Sequence, residues 1–141
     1  QADTAECGEG RPQGQRPGLA GRGRWHGEVS AAGLQTHDAN ADLLVLRSLH
    51  EGYGLALAEA LAAGLPVLAS SAGALAQTLP PQAGWQVPPG DMPALQTALQ
   101  TLISDAALRA RLAAGATAAG QWLPSWPQQA ARMAAVLEDL L

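Results

Sequence analysis

The chain has 141 residues, enough for one domain with a single hydrophobic core. Its net charge of −4 provides no basic patch, so a nucleic-acid-binding protein is not expected. A single cysteine, Cys7, excludes an internal disulfide and favours a reducing compartment, and no apolar run approaches the roughly 20 residues of a membrane span.

The first 21 residues are rich in glycine, proline, glutamine and arginine and contain few large apolar side chains. Pro12 and Pro17 disfavour a helix there. We therefore expect residues 1–21 to be an irregular or disordered segment, with a distorted edge element as the alternative. The folded domain is expected over residues 22–141.

Two short elements open the predicted domain. Arg22 to Trp25 is a strand candidate, with Trp25 as a core residue, and His26 lies in the loop after it. Ser30 is a typical N-cap and predicts a helix over residues 31–40. The three histidines of the chain have neither a cysteine partner nor i,i+4 spacing, so no metal site is expected.

A β-α-β unit of roughly 30 residues follows. The apolar run from Leu43 to Leu46 has the length of a buried strand, and Pro66 to Ala69 is a second one. Between them, a run of helix formers extends from Gly54 to Ala63. Gly64 is a natural residue to follow the end of this helix.

The first strand-to-helix turn of this unit is the candidate site, because ligands bind beyond the carboxyl ends of parallel strands. The helix that starts near Gly54 directs free N–H groups towards this crevice, and Gly52 lets the backbone approach a ligand. A phosphate or diphosphate is therefore the expected ligand. Glu51 and Glu59 can accept hydrogen bonds from sugar hydroxyls. Since Glu59 lies in an apolar run, we expect a buried carboxylate that needs a ligand or partner.

Two glutamates separated by seven residues, within 51–55 and 58–67, resemble the signature of the group-1 glycosyltransferases, which are the retaining family 4 enzymes of the GT-B fold. Gly84 to Asp91 resembles the family's Gly-x-x-Val-Pro-Pro-Gly-Asp. The segment 104–112 is similar to the helix start that follows it, and Arg24 to Gly27 is similar to the strand end that precedes the glutamates. The resemblance covers about residues 22–140.

This resemblance implies an α/β fold, a Rossmann-like three-layer α/β/α sandwich with a parallel sheet of about four to six strands. It implies that Glu51, the catalytic candidate, contacts the transferred sugar and that Glu59 contacts the nucleotide ribose. The other predicted substrate-binding residues are Ser48, Gly52, Tyr53, Gly54 and Leu55.

Several residues near the turn allow two interpretations. Tyr53 either packs against the sheet or shapes the sugar pocket. Arg47 stands where the family often has proline, and it either is solvated at the strand end or meets a phosphate. Ser48 either contacts substrate or only caps the turn. Ser70 and Ser71 either line the crevice or face water.

The carboxyl-terminal third is predicted to be mainly helical after a short strand, Trp85 to Val87. Asp91 is an N-cap for one helix, and Ser104 or Asp105 caps the next. The secondary structure of the alanine- and glycine-rich run 113–120 is only weakly specified by its sequence. A final helix opens near Pro127, and part of its apolar face is expected to meet a missing partner. Its apolar residues at helical spacing are Ala130, Met133, Leu137 and Leu140.

The resemblance implies a donor-binding domain that works with an amino-terminal acceptor-binding domain, which we expect to be missing from this chain. Together they would move a sugar from a nucleotide-diphosphate sugar to an acceptor hydroxyl with retention, in polysaccharide or glycolipid biosynthesis, without a metal or other cofactor. We expect a cytoplasmic protein whose absent domain associates peripherally with the inner face of the membrane.

The family's Gly-Arg-x-x-x-x-Lys-Gly segment, whose two cations neutralise the diphosphate, has no counterpart before residue 22, and the chain has no lysine. Charge stabilisation on the leaving group is usually a large catalytic contribution. We therefore expect weak donor binding and no turnover by the isolated chain. The alternative is a truncated, non-catalytic nucleotide-sugar-binding or assembly module.

Overall fold

The computed structural model describes residues 23, 26–50, 52, 54–123 and 126–139. Apart from Gly23, the segment 1–21 and the predicted strand Arg22 to Trp25 lie outside these residues. In chain order the described elements are α1 Ala31–Asn40, β1 Leu44–Leu46, α2 Leu55–Ala62, β2 Val67–Ser70, α3 Leu75–Thr78, β3 Gly84–Val87, α4 Met92–Ser104, α5 Ala106–Gly120 and α6 Trp126–Glu138.

The strands form a parallel sheet in the order β1-β2-β3. In the register, Val67 of β2 lies between Leu44 of β1 and Gly84 of β3. The predicted β-α-β unit is therefore confirmed, with strand bounds within one residue of those expected. The described residues supply three strands, against the four to six that we expected for the whole sheet.

The central strand β2 is buried on both faces. Val67 and Ala69 pack in one apolar cluster with residues of α2 and α3. Leu68 points into a second cluster, which contains Ala98 and Leu102 of α4. Successive side chains of a strand point to opposite faces, so these two clusters lie on opposite sides of the sheet. The expected three-layer α/β/α arrangement is confirmed.

Helix α5 contributes to both clusters and crosses the amino edge of the sheet. Leu112 packs in the cluster of α4, whereas Ala116, one turn later, packs in the cluster of α2. A Cβ atom added at Gly115 would overlap the carbonyl oxygen of Gln82, in the turn before β3. One added at Gly120 would overlap the carbonyl oxygen of Leu61 in α2. The run 113–120 is thus the part of α5 in closest contact with the backbone of other elements, although its sequence only weakly specifies its secondary structure.

Three helices begin with side-chain caps, as predicted. Ser30, Asp91 and Asp105 each accept a hydrogen bond from the backbone N–H three residues further on, at 3.2, 2.9 and 2.8 Å. Of the two cap candidates for α5, Asp105 is therefore the one that caps it. The expected glycine at the end of α2 is also present, since Gly64 has a φ of 71°.

The apolar face of α6 is uncovered in this chain. Met133 and Leu137 are 63% and 54% exposed, and Val136 between them is also exposed. This agrees with a face that meets a partner, while Leu140 lies outside the described residues. None of the helices in the described ranges is long and apolar enough to cross a membrane.

We expect Gly115→Ala to lower the free energy of unfolding by about 1–3 kcal/mol, because the new methyl group must displace the backbone of Gln82. Urea unfolding followed by circular dichroism measures the effect. The matched control is Gly33→Ala in α1, where the nearest atom to a new Cβ is Ser30 Oγ at 3.4 Å. That variant should be unchanged or stabilised by up to about 1 kcal/mol. Equal stability of the two variants would contradict the close contact of α5.

Candidate functional site

The three strands end at one edge of the sheet, and two serines fix their ends there. The Ser70 hydroxyl donates a hydrogen bond to the backbone carbonyl of Ser48. The Ser71 N–H and hydroxyl both donate to the carbonyl of Val87, at 2.8 and 3.3 Å. Both serine hydroxyls thus bond to backbone carbonyls, and Ser70 also lines a cavity of about 220 Å³ at this edge.

Helix α2 begins at this same edge without a side-chain cap. Its N-cap residue, Gly54, adopts the left-handed conformation with φ 80° and ψ 42°. A glycine reaches this conformation without strain, and it has no side chain to cap the helix. The first N–H groups of α2 have no intrahelical partner, and they lie at the positive end of the helix dipole. This is the geometry that the sequence predicted for a phosphate or diphosphate.

Glu59 lies on the exposed side of α2. The helix buries Leu57, Ala60 and Leu61, which form one stripe at i, i+3 and i+4, and Glu59 lies on the opposite side of the helix from this stripe. Our expectation of a buried carboxylate was therefore wrong, because the small alanines that surround Glu59 in sequence do not all face the core. Its exposure leaves the carboxylate accessible to a ligand.

Glu59 lines a cavity of about 350 Å³ between α1 and α2. From α1 the lining residues include Leu34, Gln35 and Asp38, which share one helix face. The sequence interpretation did not select Gln35 or Asp38 as candidates, although their helical spacing with Leu34 could have indicated a common face. The cavity therefore has two carboxylates and one amide, groups that pair with hydroxyl and N–H groups.

Arg47 lies just beyond β1 and lines the 220 Å³ cavity together with Met92. Its Nη1 atom is 4.0 Å from the Met92 sulfur, and it forms no ion pair with a carboxylate of the described residues. The guanidinium is exposed. Both earlier interpretations of Arg47, a solvated strand end and a phosphate contact, are compatible with this position.

Four of the predicted substrate-binding residues near the start of α2 in the sequence belong to the described part of the chain. Ser48 is partly buried, Gly54 is buried, and Gly52 and Leu55 are exposed. Glu51 and Tyr53 lie outside the described residues, so the catalytic role of the one and the two interpretations of the other stay predictions.

The described histidines His26 and His37 contact each other, with ring centroids 4.2 Å apart. Both are exposed, and they join the loop before α1 to the last turn of that helix. Within the described ranges, no group of three or more histidine, cysteine, aspartate or glutamate side chains could hold a metal ion.

A parallel sheet with helices on both faces and an uncapped helix start at its carboxyl edge is typical of nucleotide-binding α/β domains. A family model described as "Glycosyl transferases group 1" matches residues 5–105. The chain therefore belongs to the group 1 glycosyltransferases. The match begins at residue 5 and so extends further towards the start of the chain than the motifs from residue 22 onwards.

Relatives and solved structures agree with this family. The chain is 36% identical over 129 residues to a phosphatidyl-myo-inositol mannosyltransferase of Mycobacterium leprae (strain TN), covering 89% of this chain and 34% of that protein. It superposes with a TM-score of 0.79 on a sucrose-phosphate synthase from Thermosynechococcus elongatus, at 32% identity, covering 86% of this chain and 31% of the other. A C-terminal domain of a glycosyl transferase group 1 family protein from Francisella tularensis gives a TM-score of 0.61 at 27% identity, covering 67% of this chain and 49% of that domain. The chain thus has a GT-B carboxyl-terminal domain fold and spans about a third of the length of the mannosyltransferase.

We expect Gly54→Ala to lower the free energy of unfolding by about 1–2 kcal/mol, because a Cβ atom is strained at its left-handed φ of 80°. Gly52→Ala is the matched control, because a Cβ atom there meets nothing within 4 Å and its φ is not positive. Thermal unfolding measures both variants, and a loss in Gly52→Ala as large as in Gly54→Ala would contradict the assigned turn.

Proposed function

We propose that this chain is the donor-binding part of a glycosyltransferase that moves a sugar from a nucleotide-diphosphate sugar to an acceptor hydroxyl with retention of configuration. The observation that carries the proposal is the uncapped start of α2 at the carboxyl edge of the sheet, with the exposed Glu59 further along the same helix. This edge is where open parallel sheets bind nucleotides. Membership of the group 1 glycosyltransferases supports the class of reaction.

The diphosphate of the donor would lie at the start of α2. Free N–H groups of Leu55 and the two residues after it can donate to phosphate oxygens, and the helix contributes about half a positive charge there. Negative charge builds on the diphosphate as the bond to the sugar breaks, so donors fixed at this position stabilise the transition state more than the ground state. Arg47, at the same edge, is a further cation that could approach a phosphate.

The nucleoside would lie along the groove between α1 and α2. The Glu59 carboxylate accepts hydrogen bonds from the two ribose hydroxyls, the role that the family resemblance implies for it. The cavity of about 350 Å³ beside Glu59 falls within the usual range of small-ligand pockets, which is about 300–1,000 Å³. Gln35 and Asp38 form its other wall and can pair with polar groups of the base or ribose.

The transferred sugar would contact Glu51, the proposed catalytic residue, which directly precedes Gly52 in the turn. This role rests on the resemblance of the two glutamates to the family signature. Tyr53 lies beside the same turn in the sequence and would shape the sugar pocket. The nucleotide-diphosphate sugar is the substrate, and the proposal includes no metal or other cofactor.

The acceptor would be bound by a further domain, because the relative from Mycobacterium leprae is about three times as long as the segment it shares with this chain. That relative is named for a phosphatidyl-myo-inositol acceptor. We propose an acceptor of the same broad class, a hydroxyl of a saccharide or of an inositol lipid. The uncovered apolar face of α6 is where the acceptor domain would pack.

The proposal predicts that the chain binds one nucleotide. In calorimetric titrations with UDP, GDP and their sugars, one base should give saturable binding. Glu59→Gln should weaken it by about tenfold or more, the cost of losing hydrogen bonds to a charged group. Glu138→Gln, at the exposed end of α6, is the matched control and should bind as the unchanged chain does.

Retention is tested separately, in a protein that combines this chain with its acceptor domain. The anomeric coupling constant of the product, measured by NMR, should match that of the donor sugar. An inverted product would refute retention and leave donor binding intact. Absence of nucleotide binding by a folded sample would instead support the non-catalytic assembly module.

A further inference from the structure

A second cavity, of about 310 Å³, lies at the amino end of β3, on the opposite edge of the sheet from the start of α2. The turn before β3 contributes Pro81 and Gln82, and β3 contributes Trp85. Helix α5 forms the other wall with Leu108, Arg111 and Leu112. The two ends of a four-residue strand are about 10 Å apart, so this cavity is separate from the proposed donor site.

Trp85 provides an aromatic surface in this cavity. Its side chain is 37% exposed, whereas Val87, two residues later on the same face of β3, is buried. The indole N–H forms no hydrogen bond with the described residues. An aromatic ring with an apolar face and a free N–H at its rim can pack against one ligand and bond to it at the same time.

Two polar side chains beside Trp85 are also without protein partners in the described part of the chain. Neither the Arg111 guanidinium nor the Gln82 amide takes part in a hydrogen bond or ion pair there. Arg109, two residues earlier on α5, differs, because its Nη1 donates to the carbonyls of Leu102 and Ile103 at 2.6 and 2.7 Å. One arginine of α5 thus holds the end of α4, and the other is available to a ligand.

We propose that this cavity binds a hexose unit of a saccharide, stacked on Trp85 and hydrogen-bonded through its hydroxyls to Arg111 and Gln82. The apolar wall matches the C–H face of a sugar ring, and the free N–H groups match its hydroxyl oxygens. The lining contains no carboxylate, and the volume falls within the range of small-ligand pockets. The choice of a saccharide over other flat ligands rests on the proposed function. The site would hold a glycan chain away from the point of transfer.

The test uses the 141-residue chain labelled with ¹⁵N, titrated with maltotriose or mannotriose. Trp85→Phe assigns the indole N–H resonance of Trp85 among the four tryptophans. A saturable shift of that resonance is expected. Arg111→Gln, a surface change on α5, should weaken saccharide binding by about tenfold or more, because it removes a charged donor. Arg132→Gln on α6 and Trp122→Phe, at a side chain that is 87% exposed, are the matched controls and should leave the affinity unchanged.

Three results would overturn this inference. The first is no saturable shift with either trisaccharide in a folded sample. The second is an equal loss of affinity in Arg132→Gln or Trp122→Phe. The third is a shift of the Trp85 resonance on addition of GDP or UDP that the trisaccharide reverses by competition. That result would make the cavity a nucleotide site. Glu59→Gln should not change the affinity for the trisaccharide. Trisaccharide binding without nucleotide binding would therefore contradict the donor-site proposal and leave this inference intact.

Discussion

The burial of β2 on both faces is the constraint on which the rest of the structure depends. Val67 and Ala69 face one apolar cluster and Leu68 faces the other, so neither side of the sheet can remain open to water. Each fully buried Val or Leu side chain contributes about 1.5–3 kcal/mol relative to an exposed one. Helices must therefore cover both faces, and the chain meets this demand with α2 and α3 on one side and α4 on the other. Because parallel strands need crossover connections, α2 and α3, which join consecutive strands, also return the chain to the amino edge of the sheet.

The two edges of the sheet consequently differ in character. At the amino edge, α5 packs its backbone directly against the turn before β3 and the end of α2, which only glycines at 115 and 120 allow. At the carboxyl edge nothing comparable covers the strand ends within the described ranges, and the loops after the strands are tied by the hydroxyls of Ser70 and Ser71. The amino edge is therefore covered in part by the backbone of α5, with the cavity beside Trp85 left open next to that contact. The carboxyl edge, where we propose that the donor binds, has no such helix packed against it within the described ranges.

Local signals in the sequence predicted much of this fold, and tertiary contacts decided what they missed. Helix caps such as Asp91 and Asp105 act within one turn, so their residue type is sufficient to locate a helix start. The apolar runs of β1 and β2 are equally local. The exposure of Glu59 was missed because all its neighbours in the sequence are small or apolar, although the i,i+4 pair Leu57 and Leu61 places Glu59 on the opposite face of α2. Likewise, the glycines of α5 lower helix propensity, and their use is apparent only from the backbone of Gln82 that they meet.

The missing cap of α2 links stability to the proposed function. An N-cap normally has extended backbone, from which a serine or aspartate side chain reaches the N–H groups of the first turn. Gly54 instead has left-handed φ and ψ, so a capping side chain at this position would be strained. Glycine is also among the better N-cap residues and costs only a few tenths of a kcal/mol relative to serine or aspartate. The helix therefore starts without a capping side chain from its N-cap residue, at almost no loss of stability. A diphosphate bound there, as we propose, would supply the acceptor oxygens that the side chain of an N-cap residue normally provides.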